Sequence, residues 1–297
     1  MKKRLGIFLC VWNGEKTIEN SINSILRQKY KGLVNLYILD NQSEDTTIKI
    51  LRRIKKRNKK KNFLIKILID KKKRDILEAQ RYLIKKFLLK TDYCMIMTDD
   101  DFYNKNFLDS VILKLEAKNL DLIYTFYNFI DGKNKIFFAK NYPYYTYTKS
   151  KLKNLSNFIL FRNINPIFFG VYKSSALKTE FKHYRYFDDS KSNHDNVFIF
   201  NFLLKKKVGV LKKRYFNFAI KDRNEIEKSR NTGPNYWKIS SLFKIFIYQF
   251  NFSLKLIKSI MNLYTLSPIE KLLLVFLIVI IYFQKTLFYF IKRVLFN

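Results

Sequence analysis

The chain has 297 residues, enough for one large domain or for one domain with an appended segment. Lys and Arg total 58 against 24 acidic residues, so the formal net charge is +34. This surplus favours polyanionic partners such as nucleic acid, an anionic membrane surface or phosphorylated substrates, although a Lys-rich compositional bias would also produce it. Only 2 histidines occur, which argues against a histidine-rich zinc centre and leaves a hard cation with oxygen ligands open.

Strand-like and helix-like segments alternate through the N-terminal part of the sequence. Continuous apolar runs of strand length predict buried strands, and apolar residues at helical spacing predict a helix after each one. The predicted strands are Leu5 to Val11, Val34 to Asp40, Phe63 to Asp70 and Tyr93 to Met97, and the predicted helices are Thr17 to Gln28, Asp45 to Lys56, Ile76 to Leu89 and Phe107 to Leu115. This alternation predicts an α/β fold with a mainly parallel sheet.

Three separated stretches place polar residues at the end of a predicted strand. Asn13 follows the first strand, Asp40 ends the second, and Asp99 to Asp101 follow the fourth. Because ligands bind beyond the carboxyl ends of parallel strands, we expect all three stretches on one rim. Asn13 or Asp40 alone would fit an ordinary loop start. Three adjacent carboxylates repel one another, so we interpret them as part of a site for Mn2+ or Mg2+, which commonly combines one or two carboxylates with substrate phosphates.

Four segments carry a resemblance to a known family. They are Trp12-Asn13, Ser24 to Tyr30, Ile38 to Thr46 and Met97 to Leu115, which contains the Asp99-Asp100-Asp101 triplet. In order and spacing they resemble the motifs of family 2 glycosyltransferases, including the Asp-x-Asp region. The Gln-x-x-Arg-Trp motif of the processive synthases of that family does not occur in the sequence, which favours a non-processive enzyme.

The resemblance extends over roughly residues 5 to 220 and implies the GT-A fold, a mainly parallel sheet in a Rossmann-like αβα sandwich. It implies a catalytic domain at residues 1–220. Residues 1–104 would form the half that binds the nucleotide sugar, and residues 105–220 the half that binds the acceptor.

The resemblance also implies roles for single residues. Those assigned to the nucleotide sugar are Val11, Trp12, Asn13, Asp40, Arg74, Arg81 and Asp99. Asp40 would bond the nucleotide base, and Asp99 would contact the ribose or a nearby sugar. Asp100 would bind the metal with Asp101 close behind, although Thr98 stands where many members have the first Asp, so the choice among the three acids stays open. For the two arginines, a solvated helix face is an equal alternative to diphosphate binding.

The segment Ser192 to Leu211 resembles the region that carries the catalytic base. His194-Asp195 stands where the family has a Glu-Asp pair, before a buried helix and a short strand. This implies that Asp195 takes the proton of the acceptor hydroxyl in a direct, inverting displacement. The alternative is an acid favoured by the dipole of the helix N-terminus. His194 is open as an acceptor or supporting residue, and Asp188 and Asp189 are the other candidates for the base.

The C-terminal part differs in composition. Residues 221–237 are turn-rich and predict a linker, and residues 238–297 predict a helical tail with eight basic residues and one acid, Glu270. Ser267 to Glu270 has the pattern of a helix start. The apolar run Leu272 to Phe283 favours a tail lying in the membrane interface, with a membrane span and a helix packed on the catalytic domain as alternatives.

The resemblance implies a metal-dependent hexosyl- or N-acetylhexosaminyltransferase. The basic, apolar tail predicts a place on the cytoplasmic face of a bacterial inner membrane, peripheral or anchored by the C-terminus. Its partners would be a nucleoside diphosphate sugar, an anionic membrane surface, and a glycan or lipid-linked acceptor of surface polysaccharide or lipopolysaccharide synthesis. Cys10 and Cys94, each inside an apolar run, predict buried free thiols and a reducing compartment. The alternative is a non-enzymatic basic protein that binds nucleic acid or anionic membrane. We expect no nucleic-acid partner, because the sequence has no recognisable motif for one.

Overall fold

The computed structural model describes residues 2–130, 136–137, 150–161, 167–182, 194–219 and 239–295. The chain divides into two compact units. The first comprises Met1–Asn141, Pro166–Asp189 and Lys206–Ile220, and the second comprises Tyr142–Asn165, Ser190–Lys205 and Lys221–Asn297. The predicted linker, residues 221–237, lies outside the described residues, and the predicted domain boundaries stay predictions.

The strands of the first unit form one mixed sheet. They are β1 Arg4–Val11, β2 Leu33–Asp40, β3 Phe63–Ile69, β4 Tyr93–Met97, β5 Phe102–Tyr103, β6 Leu122–Ile130, β7 Ile136–Phe137, β8 Val171–Lys173 and β9 Val208–Ala219. Their order is β3-β2-β1-β4-β8-β6-β9-β5, with β7 paired to β6. The first four strands of this order are parallel to one another, and β6 and β9 form a second parallel pair. The four predicted strands and the mainly parallel sheet are confirmed.

Helices follow the strands as predicted. They are α1 Ile18–Leu26, α2 Thr47–Arg57, α3 Ile76–Phe87, α4 Phe107–Ala117, α5 Lys151–Phe161, α6 Ser174–Lys182, α7 His194–Lys205, α8 Ile239–Met261 and α9 Pro268–Leu295. The strand after α7 is longer than the short strand that the sequence suggested, because β9 pairs with β6 along nine positions and also pairs with β5 at Phe216 and Asn217.

The core of the first unit lies around β1 and β4. β1 is buried from Leu5 to Val11 and β4 along its whole length, as expected for strands covered on both faces. Cys10 and Cys94 are free and buried here. Burial raises the pKa of the Cys94 thiol to about 12, so it is an inert apolar side chain at neutral pH.

The second unit is helical in its described residues. α9 packs against α8 and α5, and α7 packs against α5 and α8, with the rings of Phe158 and Phe200 5.6 Å apart. The predicted start of α9 is confirmed. The Ser267 N–H donates to Glu270 Oε2 at 2.8 Å, and the Glu270 N–H donates to Ser267 Oγ at 3.2 Å, which is a capping box. Within the described ranges, no helix has both the length and the apolar character needed to cross a membrane.

Candidate functional site

The sheet register brings the predicted rim residues together. β1 lies between β2 and β4, with Val11 paired to Asp40 and Leu9 paired to Met97. All three strands run parallel, so the loops that follow them leave the sheet at the same edge. The segment from Val11 to Asn13, Asp40 and the acidic triplet therefore share one rim, as the sequence predicted.

The loop after β1 is held by side chains from the loop after β2. Asn13 has φ 52°, in the left-handed region that Asn tolerates better than most residues, and its Oδ1 accepts the Glu44 N–H at 2.9 Å. The N–H groups of Asn13, Gly14 and Glu15 donate to Ser43 Oγ, Thr47 Oγ1 and Asp45 Oδ2 at 2.9, 2.9 and 3.0 Å. The polar motif after β2 thus orders the backbone of the loop that faces it.

Asp40 is a buried acid on the rim, and its two carboxylate oxygens have different surroundings. It is 1% exposed, and its Oδ2 accepts the N–H of Ser43 at 3.1 Å. Within the described part of the chain, its Oδ1 is buried and has no hydrogen-bond partner. A buried acceptor without a donor costs about 1–3 kcal/mol. This position is therefore suited to a ligand that brings its own N–H group.

Trp12 offers a partly exposed flat aromatic surface on the loop after β1. Its side chain is half exposed and follows Val11, the residue paired to Asp40 in the sheet. Lys73 Nζ lies 3.9 Å from the centroid of the Trp12 ring, a cation–π contact. Such a ring can stack on a planar heterocycle.

The loop after β3 is tied to the same rim by Asn41. Its Nδ2 donates to the carbonyl oxygen of Arg74 at 2.8 Å, and its Oδ1 accepts the Arg74 N–H at 2.9 Å. The Arg74 guanidinium donates from Nε to Asp70 Oδ2 and lies 4.8 Å from the Tyr82 ring. Arg74 is thus engaged with Asp70 in this structure. Arg81 is half-buried on α3, and the diphosphate roles of both arginines stay predictions.

The three consecutive acids differ in their surroundings. Asp99 and Asp100 are half-buried, whereas Asp101 is 1% exposed. Asp101 Oδ1 accepts the Ala219 N–H at 2.8 Å, and its Oδ2 accepts the Thr98 hydroxyl. Burial raises the pKa of Asp101 to about 7, and the neighbouring Asp100 charge adds to the rise. Both Asp101 oxygens are used within the fold, whereas the side chains of Asp99 and Asp100 are partly exposed.

The rim carboxylates fit a metal ion that takes some of its ligands from the protein and the others from a bound substrate and water, and not a site formed by protein ligands alone. In the ranges that the structure describes, no group of three or more His, Cys, Asp or Glu residues is placed to hold a metal ion. Two half-buried carboxylates nevertheless match the usual binding of Mg2+ or Mn2+, which takes its remaining oxygen ligands from substrate phosphates and water. The site therefore fits a cation that binds together with a phosphorylated ligand.

The predicted base lies in the second unit. His194 is the first residue of α7, and Asp195 is half-buried in the first turn of that helix. Asn196 Nδ2 lies 3.4 Å from Asp195 Oδ1. Asp188 and Asp189 lie outside the described residues. The role of Asp195 stays a prediction.

Two rim features were missed by the sequence reasoning. A Cβ built on Gly14 would lie 2.7 Å from Asp99 Oδ2, so this glycine allows a close approach of the carboxylate. Its signal was available, because the chain has only 7 glycines and one of them directly follows Asn13. The second feature is the pair of hydrogen bonds between the Asn41 side chain and the Arg74 backbone. No local sequence pattern distinguishes Asn41 from an ordinary loop asparagine.

The sequence matches a known protein family. The model of "Glycosyl transferase family 2" matches residues 6–176, more than half of the chain. No curated protein matches it in sequence.

Solved structures of TarS from S. aureus share the fold. TarS 1–349 in complex with UDP-GlcNAc is 17% identical, with a TM-score of 0.65 over 92% of this chain and 70% of that chain. The complex of TarS 1–349 with UDP is 16% identical, with a TM-score of 0.63 over 92% and 69%. A longer TarS structure has a TM-score of 0.61, and the match covers 91% of this chain and 41% of that one. At this identity the likeness shows the fold alone, and it confirms the predicted GT-A type.

Proposed function

Because the chain belongs to glycosyl transferase family 2, we propose that it transfers a hexose or N-acetylhexosamine from a uridine diphosphate sugar to a hydroxyl group. Family membership supports the general activity, which is transfer from a nucleotide sugar. The proposed acceptor is a glycan or lipid-linked precursor of a bacterial surface polysaccharide or lipooligosaccharide. The choice of uridine is supported by the UDP and UDP-GlcNAc complexes of TarS and by the chemistry of the rim.

The observation that favours uridine over cytidine is the unpartnered Oδ1 of Asp40. A uracil ring has an N–H group between its two carbonyls, so it can donate the bond that this oxygen lacks. Cytosine has an unprotonated ring nitrogen at the same position and would place a lone pair against the carboxylate. The exposed ring of Trp12 would stack on the base.

In the reaction, the acceptor hydroxyl oxygen forms a bond to the anomeric carbon of the donor. The bond from that carbon to the diphosphate breaks, and its electron pair leaves with UDP. Asp195 takes the hydroxyl proton. Attack on the face opposite the leaving group inverts the anomeric centre. Asp99 and Asp100 would hold Mn2+ or Mg2+, which neutralises negative charge on the diphosphate when bound.

The test measures nucleotide affinity by calorimetry, with Mn2+ present, for the wild-type protein and Asp40→Asn. We expect UDP to bind the wild type more tightly than CDP. The variant should lose about 10–100-fold in UDP affinity, because a hydrogen bond to a charged group is worth about 1.5–3 kcal/mol. The control is Asp109→Asn in the first turn of α4, which should bind UDP like the wild type.

The choice of uridine would be wrong if UDP and CDP bound the wild type equally and Asp40→Asn changed neither affinity. The general activity is tested separately, by screening nucleotide sugars for transfer to glycan acceptors. Sugar transfer from a donor other than a uridine nucleotide would support the activity and contradict the choice of base.

A further inference from the structure

Helix α9 has two apolar faces. One is buried against neighbouring helices and includes Leu274, Ile278, Ile281 and Tyr282. The other, called here the outer face, consists of Ile269, Leu272, Leu273, Phe276, Val279, Phe283 and Leu287, whose side chains are 38% to 71% exposed. Steps of three and four residues along most of this set place it on one side of the helix. A helix that only packs on a protein core carries polar residues on that side.

Helix α8 carries a second exposed apolar set. Ile247, Phe250, Leu254 and Met261 are 40% to 57% exposed, and Tyr264 in the turn before α9 is fully exposed. Single exposed apolar residues are common on protein surfaces. A continuous apolar strip along a helix of 28 residues instead indicates an interaction surface for a protein or a membrane. We propose that the outer face of α9 docks on an anionic lipid membrane and lies along its surface.

The positive charge of residues 238–297 favours an anionic lipid surface as the partner. From Lys238 to Asn297 there are eight basic residues and one acid, Glu270, in a chain of net charge +34. A second copy of the chain would bring the same positive charge against this region, which opposes association. Anionic headgroups attract it. Lys258, on α8 and exposed, is one of the basic residues available for that attraction.

The packing of α9 sets the geometry of docking. The opposite face is buried against α5 and α8, so among the described side chains of α9 those of the outer face are the ones that lipid can reach. The helix is about 42 Å long at 1.5 Å per residue. Its apolar side chains would enter the boundary between headgroups and acyl chains while its axis stays parallel to the membrane plane. No residue of the rim in the first unit takes part, so this docking does not depend on the proposed reaction.

The test is sedimentation of the full-length protein with vesicles, without nucleotide or acceptor. Vesicles of phosphatidylglycerol mixed with phosphatidylcholine should bind the wild type, and vesicles of phosphatidylcholine alone should bind it much more weakly. Leu272→Gln combined with Phe276→Gln should lower the affinity for the anionic vesicles about tenfold or more. Lys258→Gln should lower it less and reduce its dependence on salt.

The matched control is Leu89→Gln combined with Leu113→Gln, which replaces two equally exposed apolar residues in the first unit. It should bind vesicles like the wild type. Circular dichroism and thermal unfolding check that each variant is folded. Equal vesicle binding by the outer-face variant and the wild type would overturn the proposal, as would equal binding to both kinds of vesicle. A wild-type dimer that the outer-face variant converts to a monomer, without any vesicle binding, would show that the face binds a second copy instead.

Discussion

Asp99 Oδ2 lies against Gly14 so closely that a Cβ on residue 14 would be 2.7 Å from it. The same Cβ would be 2.6 Å from the Cγ2 methyl carbon of Val11. The Gly14 N–H is held by Thr47 Oγ1 at 2.9 Å, so the backbone cannot easily move away. The position of the Asp99 carboxylate therefore depends on the absence of a side chain at residue 14.

Gly14→Ala should displace the Asp99 carboxylate and weaken donor binding about tenfold, which calorimetry with UDP and Mn2+ would measure. The control is Gly6→Ala in β1, whose Cβ would meet Thr91 Cγ2 at 2.6 Å. That clash is of the same kind but lies near the opposite end of the strand. We expect it to lower the melting temperature without changing UDP affinity. Equal UDP affinity of Gly14→Ala and the wild type would show that Asp99 does not contact the donor.

Asp100→Ala should abolish metal-dependent transfer while the thermal unfolding of the protein stays unchanged. Asp100 is half-buried. Among the hydrogen bonds of the described residues, none is to its carboxylate, so we expect the fold to tolerate its loss. The measurement is transfer rate against Mn2+ concentration. A variant that titrates with Mn2+ like the wild type would remove Asp100 from the metal site.

Asp101→Ala serves as the contrast to Asp100→Ala. It removes the acceptor of the Ala219 N–H and of the Thr98 hydroxyl. We expect the free energy of unfolding to fall by about 1–3 kcal/mol, as measured by urea denaturation. Unchanged stability together with lost metal binding would place Asp101, not Asp100, at the metal.

Asn41→Ala should loosen the loop after β3, because both hydrogen bonds of the Asn41 side chain to the Arg74 backbone are lost. Faster hydrogen exchange at residues 71–75 and a raised donor KM with little change in kcat are the expected results. Asn58→Ala is a matched control. The Asn58 side chain stabilises a different turn, because its Nδ2 donates to the Phe63 carbonyl at 2.7 Å and its Oδ1 accepts the Lys60 N–H at 3.2 Å. The Asn58→Ala variant should leave the donor KM unchanged.

Asp195→Asn should keep the affinity for UDP and lower the transfer rate by about 10²–10⁴-fold, the usual contribution of a positioned base. Calorimetry and transfer to a glycan acceptor measure the two quantities separately. Transfer near the wild-type rate would move the base to another acid, with Asp188 and Asp189 as the next variants to make.

Much of the fold was predictable because the signals for it are local. The apolar runs of β1 and β4 are continuous since both strands are buried on both faces, and the helical spacing in α1 and α4 follows from packing on one side of the sheet. The rule that ligands bind at the carboxyl ends of parallel strands then predicts Asn13, Asp40 and the acidic triplet on one rim.

The sequence by itself thus determined the order of the elements, the sheet edge that carries the acids, and the basic, apolar character of the C-terminal helices. Only the tertiary structure decided that Asp101 is buried, because its partner Ala219 lies 118 residues away in the chain. It also decided that Arg74 pairs with Asp70, that Asp40 Oδ1 is buried without a donor among the described residues, and which side of α9 is exposed. Apart from the Arg74–Asp70 pair, whose residues are four apart in the chain, these features depend on contacts between segments distant in sequence. Local periodicity carries no information about which atoms such contacts bring together.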